Sequence, residues 1–239
     1  MTPSAEPDPA LPTDPGEPLA DPAHREAVID LLGAMAYGEL TAFSRLAADA
    51  ELAPTLSDKA KLARQAASEL HHYDLLDQWL ETIGADVRTA MAPFTAALDA
   101  FHDRTRPSTW LEGLVKAYVG DGIAADFYRE VSVYLDPRTR ALVTEVLQDL
   151  GGADFAVTAV REAVDRDPAV AGRLALWGRR LVGEALSQAQ RVAAERDALA
   201  SLLVGGGRAG GADLAEIGRV FARLTDEHTR RMGRLGLSA

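Results

Sequence analysis

From Ala23 onward, apolar residues recur at intervals of three and four, the spacing of one helix face, while strand-like alternation is scarce. Val28, Leu31, Leu32, Met35, Glu39, Phe43 and Leu46 form a stripe that ends before Pro54. Ser57-Asp58 predicts the cap of a second helix, with a stripe at Leu62, Ala66, Glu69, His72/Tyr73, Leu76 and Leu80 that Gly84 closes. Residues 87–104 predict a shorter helix before Pro107. Ser108 or Thr109 caps the next, whose inward face carries Leu111, Leu114, Tyr118, Asp121, Ala125 and Tyr128. Asp136-Pro137 reads as a cap and first-turn proline opening a helix with Leu142, Val146, Asp149, Ala153, Ala156 and Val160 inward. A long helix is expected from Asp167-Pro168 to about Leu203, then a glycine-rich loop, then a last helix from about Asp213 to Leu235. The fold class is all-α: two pairs of long helices plus additional C-terminal helices.

Four acids interrupt these stripes, and they recur in register. Gly38-Glu39 aligns with Gly120-Asp121, and "SELHHYDLL" aligns with "QDLGGADFA", which sets Glu69 on Asp149, His72 on Gly152 and Asp74 on Asp154. Each helix pair therefore offers one inward acid from its first helix and one from its second. Four buried carboxylates repel one another unless they are protonated, paired with arginine or neutralised by cations. A Glu followed three residues later by His lies about 60° around the helix and about 4.5 Å along it, so Glu69 and His72 can hold one metal ion together. His71 and Asp126 fall off the stripes and read as surface groups, Asp126 as a surface or salt-bridging acid. Asp74 and Asp154 read as exposed helix acids.

Composition narrows the chemistry. The 239 residues suit one medium-sized domain, expected over 23–239, with the core bundle at about 23–166 and the extra helices at about 167–239. Residues 1–22 are rich in proline, aspartate and alanine, and read as a disordered tail. There is no cysteine, so a metal site must use His, Asp or Glu. The absence of a leader or an apolar span predicts a cytoplasmic protein that does not enter a membrane. The formal charge of −11 disfavours a general nucleic-acid or anionic-membrane binder unless Arg219, Arg223, Arg230, Arg231 and Arg234 gather on one face.

The order and spacing of Glu39, Glu69–His72, Asp121 and Asp149 resemble those of the ferritin-like hydroxylases of the tRNA 2-methylthio-isopentenyl-adenosine hydroxylase (MiaE) type, over residues 24–200. The resemblance implies a ferritin-like four-helix bundle of two helix-hairpin repeats with a non-haem di-iron centre. It implies O₂-dependent hydroxylation of a modified-tRNA or small isoprenoid-like substrate, with an electron donor as partner. Metal ligands by this reading are Glu39, Glu69, His72, Asp121 and Asp149. Two are Asp where the pattern has Glu, and Gly152 stands where a histidine is expected, so the second half-site is incomplete and one or two iron ions, or manganese, are expected. The alternative is a non-catalytic bundle acting by binding or by homodimerisation; iron storage is disfavoured by the extra helices.

Further residues are expected around the site. Tyr37, Tyr73, Tyr118 and Tyr128 read mostly as core aromatics, of which Tyr73 and Tyr118 lie near the acids and can hydrogen-bond them. Trp177, Leu181, Glu184, Gln188 and Val192 share a face, so Glu184 and Gln188 either line a substrate pocket or, for the acid, pair with Arg180 or Arg191. His102 and His228 read as surface residues.

Overall fold

The computed structural model describes residues 17–148, 153–203 and 214–239, and among them it is helical without strands. Local capping chemistry sets most of the helix starts. Asp21 opens α1 (Pro22–Asp49) by accepting from the Ala23 amide, and Pro22 occupies the first turn, where a missing N–H costs nothing. α2 (Leu56–Thr82) is capped by Thr55 rather than by Ser57-Asp58; Asp58 lies in its first turn, donates its amide to Thr55 Oγ1 and favours the positive end of the helix dipole. Gly84, at φ +73°, turns the chain out of α2 in a left-handed conformation that side chains resist.

The segment expected as one short helix is broken. α3 (Val87–Met91) and α4 (Thr95–Arg104) flank a 3₁₀ turn at Ala92–Phe94 containing Pro93, which cannot donate to the ladder. Thr109 caps α5 (Trp110–Ser132), and Asp136 caps α6 (Pro137–Gln148) through the amides of Arg138 and Thr139. α7 spans Ala153–Arg166; Asp149 and Gly152 lie outside the described residues. The long helix expected to reach Leu203 ends earlier, as α8 (Ala169–Glu195), and α9 (Asp197–Leu203) follows directly. At the break Arg196 leaves helical geometry and its guanidinium grips the buried Asp30 of α1, at 3.0 Å through Nε and 2.5 Å through its second nitrogen. α10 covers Leu214–Arg234.

Cross-links fix the topology. Arg25 donates to the Ile83 carbonyl, His72 faces Glu39 and Lys59 pairs with Glu51, so α1 and α2 run antiparallel. α5 packs beside them, with Gln65 of α2 reaching Asp121 and Gly113 lying against Asp49 of α1. Trp79 of α2 donates to Thr139 of α6, joining the second hairpin to the first. α4 and α8 close one side, and α10 lies antiparallel to α5, with Arg223 on Glu130 and Arg231 on Asp126. A Cβ at Gly122 would collide with the Arg231 guanidinium, so this glycine permits the arginine's close passage over α5. Glu17–Ala20, within the segment expected to be a tail, forms a 3₁₀ turn, and Leu19 is buried in the core.

Two apolar clusters hold the molecule together. One joins α1, α2, α3, α6, α9 and α10 around Leu31, Leu76, Trp79, Phe94, Val143 and Leu224; the other joins α1, α2, α5, α7, α8 and α10 around Leu62, Leu114, Val160, Leu174 and Met232. No described helix is long and apolar enough to cross a membrane.

Candidate metal centre and cavity

Glu39 projects from the middle of α1, and Glu69 and His72 project from one turn of α2 directly opposite. One ligand atom from each lies within 4.8 Å of those of the others. His72 Nδ1 stands 3.5 Å from Glu39 Oε2 and 3.8 Å from Glu69 Oε2. The three side chains are only 14%, 12% and 6% exposed. Their helix stripes explain this: each polar group replaces one apolar residue in an inward row, so folding the hairpin delivers all three to one point.

Bringing two carboxyls together out of water changes their acidity. Burial pushes the Glu69 carboxyl up to about 8; the hydrogen bond from His72 opposes this and Glu39 reinforces it. Burial disfavours the charged form of His72, but hydrogen bonds and charges from Glu39 and Glu69 outweigh it and hold the imidazole up at about 10. Both shifts point the same way: the cluster favours holding protons among its acids and imidazole. A divalent ion exchanging with those protons satisfies the same demand, and carboxylate-plus-imidazole shells suit iron and manganese. The residues present thus fit a metal ion.

Asp121 of α5 borders the same cavity. Its carboxyl is raised well above the ordinary range by burial, with the charge of Glu69 adding and Arg231 opposing. Gln65 Nε2 donates to its Oδ2 at 3.3 Å and fixes its orientation. Four of the five expected ligands thus converge in part: Glu39, Glu69 and His72 as a tight trio, Asp121 on the adjoining wall. Asp149 lies outside the described residues.

The surrounding expectations divide. Gln188 of α8 is buried, lines the cavity and leaves its Oε1 without a hydrogen-bond partner among the described residues. Glu184 instead pairs with Arg104 of α4 at 3.3 Å, neither with Arg180 nor with Arg191. Tyr73 stands among Asp74, Asp77, Asp86 and Arg88, away from the trio, and Tyr118 is buried in the second apolar cluster. The tyrosine at the site is Tyr128, which lines the cavity and whose hydroxyl is pushed upward by burial and by the charge of Glu39. His102 and His228 are not surface residues: His102 lines the cavity with Nδ1 unpartnered, and His228 is 2% exposed with neither ring nitrogen bonded among the described residues. Of the arginines whose gathering on one face would have favoured a nucleic-acid surface, Arg223, Arg230 and Arg231 pair with Glu130, Glu227 and Asp126.

The cavity, of about 280 Å³, takes Gln188 but not Glu184 of the two residues expected to line a pocket. Its walls come from α1, α2, the 3₁₀ turn at Ala92–Phe94, α4, α5, α6, α8, α9 and α10, chiefly through apolar side chains such as Phe94, Leu98, Phe101, Ile123, Leu186 and Phe221. One sign was present: Phe94, Leu98 and Phe101 share one face of the 87–104 segment, and His102 continues it.

Fold and site together define a ferritin-like helical protein with an inward carboxylate–histidine cluster. Residues 22–206 match the family described as "Ferritin-like domain, actinomycetes", and the chain belongs to that family. A solved structure described as "Protein 19 with aldehyde deformylating oxidase activity from Synechococcus" superposes with a TM-score of 0.68, covering 92% of this chain and 94% of that one at 22% identity. At that identity the likeness speaks for the fold. Comparison with curated protein sequences gives no match. The finer tRNA-hydroxylase resemblance finds no counterpart in these matches.

Proposed function

We propose that this protein is an O₂-dependent metal-carboxylate oxidase acting on an aliphatic substrate lodged in the cavity. The observation that carries this reading is the buried trio Glu39–Glu69–His72 opening onto an apolar cavity, within a fold shared with an aldehyde deformylating oxidase. Glu39, Glu69, His72 and Asp121 would hold the metal, with Asp149 as the remaining ligand from the second hairpin. Iron, when bound there, supplies the reduction of O₂ with electrons from a donor protein or small reductant.

The chain's own residues do the rest. The walls of α4 and α8 exclude water and align the aliphatic chain past the cluster, which places its reacting carbon by packing alone. Gln188, buried with a free acceptor, offers a polar contact to a hydroxyl or carbonyl on the substrate. Gln65 holds Asp121 in place. His72, flanked by two carboxylates, keeps a fixed ring orientation toward the centre of the trio.

The test is O₂ consumption by iron-loaded protein with a chemical reductant and a set of medium-chain aldehydes, alkanes and alkanoates. Substrate-stimulated uptake that falls by at least about a hundredfold in Glu69→Ala is expected, because a missing carboxylate removes a metal ligand outright. Uptake unchanged by that substitution would sink the proposal and leave a bundle that works by binding.

A further inference from the structure

The cavity is not uniform along its length. Beyond the carboxylates, toward the C-terminal end of α1 and the N-terminal end of α5, its wall carries Arg45, Asp49, His102 and Lys116. Three helices deliver these groups to one end: α1 gives Arg45 and Asp49, α4 gives His102 and α5 gives Lys116. Lys116 is only 7% exposed, and among the described residues neither it nor Arg45 has a hydrogen bond or ion pair. The Lys116 ammonium lies over the Phe101 ring at 5.6 Å from its centroid, a weak cation–π contact. Asp49, the one acid lining this end among the described residues, lies outside ion-pair distance of both cations.

A buried cation whose nearby acids, Asp49 and Asp103, stand beyond ion-pair distance is costly, and proteins ordinarily keep one only where a ligand or partner neutralises it. Burial pulls Lys116 down to about 8, partly offset by Asp49 and reinforced by Arg45, yet the amine remains largely charged at neutral pH. The other end of the cavity is apolar, lined by Val146, Leu199, Phe221 and Leu224. The metal-binding trio lies between the two ends. Arg45 is six residues beyond Glu39 on α1 and Lys116 five before Asp121 on α5, so the cationic end sits about 8 Å along the bundle from the carboxylates.

We propose that the cavity takes an amphiphilic monocarboxylate, its carboxylate seated between Lys116 and Arg45 and its alkyl chain running past Glu39, Glu69 and His72 into the apolar end. Lys116 is then the residue that sets the substrate class, selecting a chain bearing an anionic terminus over a neutral one. This deepens the proposed function and rests on it for the statement that the bound chain is a substrate; the binding geometry stands without the metal.

The test is therefore a binding measurement on full-length, metal-free protein: calorimetric titration with decanoate, 1-decanol and methyl decanoate below their aggregation limits. Wild type is expected to bind decanoate at least tenfold more tightly than either neutral ligand. Lys116→Met, which keeps the length and apolar stem, is expected to bring the three within about twofold, and Lys116→Arg to restore the preference. Equal affinities in wild type, no binding of any of the three, or a preference that survives Lys116→Met would overturn the proposal. Iron uptake, measured separately on the same preparations, distinguishes the two ideas. Anion preference without metal binding leaves the pocket assignment and removes the oxidase; metal binding without anion preference does the reverse.

Discussion

His228 shows how a single side chain carries a cost that the fold tolerates. It continues the α10 row Val220–Leu224–Met232, so it is driven into the interior with its apolar neighbours. Burial, with Arg231 adding, pulls its pKa down to about 4 from an ordinary 6.5. Between those two values the unfolded chain binds the proton and the folded chain refuses it, so stability falls as pH falls through this window and is fully present above about 6.5. Since neither ring nitrogen has a partner among the described residues, an apolar replacement loses no hydrogen bond to them. His228→Leu should thus unfold at the same or a higher urea concentration at pH 7 and lose less midpoint between pH 7 and pH 5 than wild type. An unchanged pH slope would mean that the imidazole finds protons or partners in the native state. The sign of burial at His228 was readable from its four-residue spacing; an isolated polar residue on an otherwise arginine-rich helix masked it.

At the scale of elements, what was legible was the stripe and what was not was its interruption. The 3.6-residue rows placed Glu39, Glu69 and His72 on facing helices because each sits in phase with large apolar neighbours. The same rows ran too far at Arg196, where periodicity continues from α8 into α9 but the backbone does not. The reason is tertiary: Asp30 is buried in α1 with its side chain 4% exposed, and Arg196 must leave the helix to reach it. Capping residues located α5 and α6 well, since Thr109 and Asp136 satisfy amides that nothing else can. Removing Arg196 alone strands a buried carboxylate, so Arg196→Met should lower unfolding free energy by about 3 kcal/mol. Asp30→Leu combined with Arg196→Met should recover much of that loss, because the charge and its partner disappear together. A single-mutant loss under about 0.5 kcal/mol in urea unfolding, the size expected of an exposed pair, would contradict this account.

For the whole molecule, two apolar clusters brace the bundle while the cavity between them admits polar chemistry. Such a cavity has no signature in one stretch of sequence: it arises where side chains of α1, α4, α5 and α8, far apart in the chain, line one space around the acids. The ferritin-like class was legible because a duplicated hairpin with matched acids admits few other folds; the substrate was not, because it is chosen by side chains far apart in the chain such as Arg45, Lys116 and Gln188. Net acidity and the pairing of the α10 arginines speak against an RNA-facing surface there. The proposed oxidase requires that Glu39, Glu69 and His72 hold a metal ion rather than form a buried salt-bridge cluster. Anaerobic Fe(II) titration of the metal-free protein, read as iron retained per chain after gel filtration, tests it most directly. The account predicts saturable retention of at least one ion per chain that is lost in His72→Ala while the helical content is kept. No retention by the wild type, or retention that His72→Ala leaves intact, would contradict it.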